Sequence, residues 1–386
     1  MMLRKIIAVL LSFCLVFSAM VFTVFADPAE NGSEVIELDC RSAILMEAKT
    51  GKILYEKNAN EALPPASVTK VMTLLLVMEA IESGKLSFSD TVTASAHACS
   101  MGGSQIYLKE GEEMSVEDLV KSVVIASAND AALALAEHIA GTEAAFVKMM
   151  NDKAAVLGLT DTHFENTNGL DDTVQNHVSS ARDIAIMSKE LIRHEKILEF
   201  SSIWMDSIRN GEFGLTNTNR LVRFYKGATG LKTGSTAKAK FCITATAERG
   251  GMSLICVIMA APTRDIRNAA ATSLLDWGFA NYEVYESEPV PIDPVKVLGG
   301  VETKCGVSYP KFSCVVKKSD SAQIKYSIEL RDSVAAPIKA GDVLGKVTYK
   351  LRDETVGSVD ITADESVEKI DFWGILVKLL SKMLFC

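Results

Sequence analysis

The chain has 386 residues, 48% hydrophobic and 23% charged, with 40 Lys and Arg against 49 Asp and Glu for a net charge of −9. That length allows two to three domains, and the apolar content excludes a disordered chain. The acidic balance argues against a nucleic-acid binder, which draws affinity from cationic contacts to phosphate, and no 20–50-residue period marks a solenoid or propeller.

Arg4 and Lys5 precede an almost wholly apolar run, Ile6–Phe25, which ends at Ala26 before Asp27-Pro28. This is the pattern of a secretory signal peptide cleaved after Ala26. It is favoured over an uncleaved anchor because the polar stretch Asp27–Glu37 begins right at the small residue. A lipoprotein signal at Cys14 fits poorly, since Phe13 stands where a small residue is needed. Cleavage leaves 360 residues with a net charge of −11. The seven remaining cysteines, Cys40, Cys99, Cys242, Cys256, Cys305, Cys314 and Cys386, are widely spread and contain no C-x-x-C. Neither a disulfide framework nor a zinc site is expected. Cys242 with Cys256 and Cys305 with Cys314 are conceivable pairs, but free buried thiols are the plainer expectation.

Ser42–Met46 and Lys52–Glu56 flank a Lys49-Thr50-Gly51 turn and read as a hairpin. After Pro64-Pro65, Ser67–Glu82 reads as a helix closed by Ser83-Gly84, apolar nearly all round and therefore central and buried. Val116–Leu157 has a helical pattern rich in Ala and Leu. Ser179–Leu191 is a further helix opened by a capping-box-like Ser180 to Asp183. Phe241–Ala247 and Met252–Ala260 form a second hairpin around Glu248–Gly251, and Asn268–Gly278 returns as a helix. Strands at both sequence ends with helices between them make a mixed α and β domain.

Composition shifts near Glu286–Pro294, where Pro289, Pro291 and Pro294 mark a linker. The β-like runs Phe312–Val316, Ile324–Leu330, Val343–Tyr349 and Ser358–Ile361 predict a small β domain without evident chemistry. The last twenty residues are amphipathic: Asp371, Gly374, Lys378, Ser381 and Lys382 share one helical face, and Phe372, Trp373, Leu376, Val377, Leu379, Leu380, Met383 and Leu384 the other. Such a helix suits a membrane surface and is too short and too lysine-rich to span comfortably; docking on the β domain is the alternative.

None of the five histidines forms an H-E-x-x-H pair, no G-x-S-x-G elbow is present and no glycine loop suits a nucleotide, so neither metal nor cofactor is expected. Ser67-Val68-Thr69-Lys70 remains. S-x-x-K recurs at Ser235, Ser308 and Ser366, but only Ser67 follows two prolines at the start of a buried helix. There the backbone N–H groups favour developing negative charge, and Lys70 lies one turn along the same face. Desolvation disfavours its ammonium form, leaving an amine that can act as base, although a plain N-cap accounts for the serine too. Ser127-Ala128-Asn129 lies in a small-residue helical stretch, where capping would also explain it. Lys232-Thr233-Gly234-Ser235 precedes a β-rich run; a cation and a hydroxyl there suit an anionic group on a substrate, although K-T-G also occurs at Lys49.

Each piece is bland alone, but S-x-x-K, then S-x-N 60 residues later, then K-T-G 105 further, is an ordered set. With Pro65–Thr73, Ser127–Ala132, Thr162–Asn166, Asn168–Leu170, Ser179–Asp183 and Gly230–Gly234, the chain resembles the serine-type D-alanyl-D-alanine carboxypeptidases. These are the low-molecular-mass penicillin-binding proteins, peptidase family S11. The resemblance implies an α+β fold of β-lactamase/transpeptidase type, an antiparallel sheet with helices on both sides and a helical subdomain. Its expected segments are a signal peptide (1–26), a catalytic domain (27–286), a small β-rich domain (287–366) and an amphipathic membrane-anchoring helix (367–386).

It further implies removal of the terminal D-alanine from peptidoglycan stem peptides through a Ser67 acyl-enzyme, with β-lactams as covalent inhibitors, at the extracytoplasmic face of the cell membrane. Carried over residue by residue, Lys70 takes the Ser67 proton and Ser127 relays one toward the leaving nitrogen. Asn129 holds the substrate amide, Lys232 and Thr233 bind the terminal carboxylate, and the N–H groups of Ser67 and Ser235, beside Gly234, form the oxyanion hole. Arg264 or Arg267 would assist the carboxylate, with neither preferred. His163 and His177 read as structural. The alternatives are a D,D-endopeptidase on cross-links, a class A-like β-lactamase, whose deacylating E-x-x-L-N run is not found here, and a non-catalytic wall-binding protein.

Overall fold

The computed structural model describes residues 36–384. The expected signal peptide, Cys14 and Cys386 lie outside them.

A five-stranded antiparallel sheet is built from the two ends of the first domain. Strands β1 (Ser42–Glu47) and β2 (Ile53–Lys57) form the expected hairpin. The order is completed by β3 (Ala228–Thr236), β4 (Lys240–Arg249) and β5 (Met252–Ala261) as β2-β1-β5-β4-β3. Every residue of β1 is buried because both faces of the sheet are covered. On one face, Gly278 of the helix that follows β5 packs so closely on Leu45 and Leu254 that a Cβ there would lie 2.6 Å from Leu45 Cδ2. On the other, Ser188 of a second helix meets Thr244 of β4, hydroxyl to hydroxyl at 2.8 Å. Helices on both sides of an antiparallel sheet were expected, and they are found.

Between the two ends of the sheet lie the helices. A 3-10 turn, Ala66–Thr69, leads into α1 (Lys70–Glu82), whose Val71, Met72, Leu74, Leu75 and Val77 are all at most 1% exposed. At roughly 1.5–3 kcal/mol per fully buried side chain, this helix anchors the core. The long helical pattern over Val116–Leu157 does not form one rod. It divides into α2 (Val116–Lys121), a π turn (Ser122–Ala126), α3 (Asn129–Ala140) and α4 (Glu143–Val156). The break falls on Ser127, which adopts a left-handed φ of 64°. Helix α5 (Ala181–Leu191) is capped by Ser180, whose Oγ accepts from Asp183 N as the sequence suggests. Helix α6 (Arg264–Asn281) is longer than the expected Asn268–Gly278, with Thr263 as its N-cap.

Helix α6 runs directly into β6 (Tyr282–Ser287), a strand that sequence patterning missed and that pairs with β7 (Phe312–Lys317). Strands β8 (Ile324–Leu330), β9 (Val343–Leu351) and β10 (Glu354–Ala363) form a meander beside Val307–Ser308. The core of this region includes Phe312 and Tyr349, stacked at 4.0 Å. Lys52 of the first hairpin donates to the Val315 carbonyl of β7 at 2.8 Å. Helix α7 (Phe372–Leu384) ends the described chain. The six described cysteines are free thiols.

Candidate active site

Ser67 sits in the 3-10 turn entering α1, half-buried, and is not an N-cap: the cap position is Pro65, with no side-chain capping bond. Its hydroxyl is therefore available. Ala66, 1% exposed, holds a left-handed φ of 49°, a conformation that costs a non-glycine residue roughly 1–2 kcal/mol. Neighbouring backbone enforces it. Gly234 of β3 lies so close that a Cβ would stand 2.8 Å from Ser67 N and 2.9 Å from Pro65 O. On the other side Gly169, at φ 85°, abuts the Ala66 carbonyl.

Lys70 is fully buried, and its Nζ has three oxygen neighbours: Ser67 Oγ at 2.9 Å, Asn129 Oδ1 at 2.5 Å and the Asn168 carbonyl at 2.9 Å. A neutral amine has two N–H donors and one lone pair. The two carbonyl oxygens can only accept, so they take the N–H groups, and the lone pair is left facing the one neighbour that can donate, the Ser67 hydroxyl. Burial pushes the Lys70 pKa well below its ordinary value; the positive charge of Lys232 pushes the same way and Asp130 opposes. Lys232, 1% exposed, is itself lowered to about 7 by burial and by Arg267. Two ammonium ions cannot comfortably coexist here, which favours one neutral amine near neutral pH.

The S-x-N element is delivered by the break between the π turn and α3. Asn129 bridges Lys70 to the opposite wall, its Nδ2 donating to the Gly102 carbonyl at 2.6 Å. Asp130, 1% exposed, accepts from the backbone N–H groups of Ile106 and Leu108 and ties that wall to the helix start. The third element lies within an edge strand rather than ahead of one. Thr233 Oγ1 donates to Thr218 Oγ1 at 2.8 Å, and Lys232 Nζ donates to the Thr233 carbonyl at 2.9 Å.

Ser67, Ser127, Thr233, Gly234 and Ser235 line one cleft of about 620 Å³. Arg220, Arg264 and Arg267 line it as well, and among the described residues no carboxylate does. Both arginines left open by the sequence reach the cleft. Arg267 is 3% exposed, with its guanidinium on Asn268 Oδ1 at 2.8 Å, whereas Arg264 is exposed. Sequence reasoning missed Arg220, Thr218 and Trp204, which no motif marks, and the Asn168 carbonyl, because a backbone acceptor leaves no residue-type signal. Glu165, three residues before Asn168, is committed to its own loop and accepts from Gln175 N and Asn176 N at 2.8 and 3.1 Å.

Residues 28–263 match the family model described as D-alanyl-D-alanine carboxypeptidase, and residues 279–369 match the C-terminal domain model of penicillin-binding protein 5. The chain is 43% identical over 360 residues to D-alanyl-D-alanine carboxypeptidase DacF of Bacillus subtilis, covering 91% of this chain and 92% of the relative. It is 34% identical over 367 residues to D-alanyl-D-alanine carboxypeptidase DacC of Escherichia coli, covering 91% and 90%. The crystal structure of penicillin-binding protein 5 from Haemophilus influenzae superimposes with a TM-score of 0.75 at 31% identity, covering 88% of this chain and all of that one. Penicillin-binding protein D2 from Listeria monocytogenes in its ampicillin-bound form aligns at 0.58 and 34% identity, covering 63% of this chain and 99% of that one. With a buried lysine facing a serine hydroxyl at the head of its central helix, and with this match over most of its length, the chain belongs to the D-alanyl-D-alanine carboxypeptidase family of serine peptidases.

Proposed function

We propose that the protein is a D,D-carboxypeptidase that removes the terminal D-alanine from peptidoglycan stem peptides and is acylated by β-lactams. The observation that carries this is the environment of Lys70 Nζ: two carbonyl acceptors and the Ser67 hydroxyl, with no carboxylate hydrogen-bonded to it among the described residues, in a site with Lys232 nearby. Lys70 takes the Ser67 proton as Oγ attacks the carbonyl carbon of the last peptide bond. The oxyanion is received by the N–H groups of Ser67 and Ser235, a role supported by the tight apposition of Gly234 and the Ser67 turn. Ser127, 4% exposed and lining the cleft, passes a proton to the departing nitrogen as the C–N bond breaks. Asn129 holds the substrate amide. Water then hydrolyses the ester and returns the proton to Ser67. A β-lactam ring opens by the same attack, but its amine stays tethered to the acyl group.

Lys232 and Thr233 receive the terminal carboxylate. The three arginines that line the cleft supply further positive charge, and Arg267 stands nearest in influence, since its charge lowers the Lys232 pKa. Such a single-sign cleft steers an anionic chain end toward the serine. Incubation with a peptide ending in D-Ala-D-Ala is expected to release one equivalent of free D-alanine; an unchanged peptide would refute the carboxypeptidase assignment. The commitment of Glu165 to its own loop argues against a β-lactamase, which needs a carboxylate at the acyl-enzyme.

Export and attachment to the outer face of the membrane belong to the same reading. Helix α7 turns Phe372, Trp373 and Met383 outward, 72%, 69% and 81% exposed, while Lys378 on its polar face donates to the Gly300 carbonyl at 3.4 Å. Each such apolar side chain contributes roughly 1.5–3 kcal/mol if fully withdrawn from water. No described helix is long and apolar enough to cross a membrane. Deleting residues 372–386 is expected to abolish co-sedimentation with lipid vesicles while leaving D-alanine release intact; continued sedimentation would remove the anchor assignment.

A further inference from the structure

We propose that His177 is a positioning residue for the nucleophile: its neutral imidazole ties the turn carrying Ser67 and Lys70 to the loop that gives Lys70 its Asn168 acceptor. This deepens the mechanism above and rests on Ser67 being the nucleophile.

The backbone N–H of Glu165 meets His177 Nδ1 at 3.0 Å. A backbone N–H can only donate, so Nδ1 accepts and the proton of the neutral ring lies on Nε2. Nε2 is 2.7 Å from Thr69 Oγ1, to which it donates. Thr69, fully buried, stands between Ser67 and Lys70 in the chain. The same loop touches this helix face at three further points. Asn168 O accepts from Lys70, Thr167 O accepts from Thr73 Oγ1 at 2.6 Å, and Gly169 sits where a Cβ would be 1.8 Å from Ala66 O. His177 is 4% exposed, with its ring edge-on to Phe164 at 5.7 Å. Burial lowers its pKa to about 4; His163 and Lys238 add to that, while Glu165 and Asp171 oppose it. Protonation would bring an Nδ1–H against the Glu165 N–H, donor against donor, and open the tie. The loop is thus locked to the turn through a group that stays uncharged at neutral pH. The distance between Ser67 Oγ and Lys70 Nζ depends on that lock.

The test is single-turnover acylation of the full chain by fluorescent penicillin, with the rate constant expressed per molecule that finally labels and melting temperature recorded alongside. Thr69→Val and His177→Ala are expected to slow the acylation step by about 100-fold, the cost of a misplaced reactive group, with apparent KM changed less than about threefold. Thr69→Ser and His177→Gln, whose amide offers both an acceptor and a donor, should recover most of the rate. If His177→Ala does not fold, the Thr69 pair decides. A rate constant for Thr69→Val within about threefold of the unmodified protein overturns the proposal, and so does a loss that Thr69→Ser shares in full. Labelling of Ser67→Ala in parallel would instead overturn the nucleophile assignment, so the two failures are distinguishable.

Discussion

Ser67→Ala is expected to lose covalent labelling by penicillin altogether and to lower D-alanine release by about 10⁴-fold or more. The oxygen is the atom that would form the ester. Its neighbours leave no substitute, because the remaining polar atoms on Lys70 Nζ are carbonyl oxygens. Lys70→Arg puts a permanently charged guanidinium with no lone pair where a neutral amine must accept the Ser67 proton, and loss of the base is expected to cost roughly 10²–10⁴-fold. Persistence of labelling in the first variant, or activity within about tenfold in the second, would remove the serine–lysine mechanism. The pH dependence follows with a definite sign. Lys70 must be neutral to act, so acylation falls as pH drops through its lowered pKa. Lys232→Gln removes a positive neighbour that holds this value down. The Lys70 pKa then rises, and the acid limb of the acylation rate moves to higher pH. A limb that stays put or moves to lower pH contradicts the electrostatic coupling.

Gly234→Ala is the second change expected to be severe, although it adds one methyl group. The new Cβ would meet Ser67 N at 2.8 Å, Pro65 O at 2.9 Å and Val68 N at 2.9 Å, all backbone atoms that cannot swing aside. Strand and turn must separate, which displaces the Ser67 N–H from where it receives the oxyanion. Acylation is expected to fall by about 10²–10³-fold, with a stability loss of roughly 1–3 kcal/mol. Gly250→Ala serves as the contrast: at φ 56° in open space it costs about 1 kcal/mol of backbone strain and leaves the acylation rate unchanged. Equal activity in the two variants would show that the contact between β3 and the turn does not shape the site.

Much of this architecture was legible from local pattern. Gly51 at φ 76° closes the first hairpin at the expected turn, and Ser180 caps α5 where spacing placed it, because both features depend on a few adjacent residues. The helix start at Ser67 was found in the right place but given an ambiguous reason, since serine caps helices far more often than it attacks carbonyls. The break at Ser127 was invisible. Val123–Ala136 reads as helix throughout, and the left-handed φ of Ser127 is a price of bringing its hydroxyl into the cleft, not a local preference. Strand β3 was missed for a related reason: Thr229-Gly230-Leu231-Lys232-Thr233-Gly234 alternates poorly and is rich in glycine, and its strand character comes from pairing with β4.

The chain by itself determined which chemical groups are available and in what order they come: a hydroxyl with an amine one turn away, a second hydroxyl with an amide, and a lysine beside glycine. Those are properties of residue type and short spacing, which survive without any knowledge of neighbours. Only the tertiary structure decided what these groups are. It removed water from Lys70, placed a second lysine close enough to lower its pKa, turned the Asn168 carbonyl toward its nitrogen and set three arginines in the same cleft. Protonation, charge and orientation depend on burial and on distances between residues 98 to 197 positions apart, and those quantities exist only once the chain has closed upon itself.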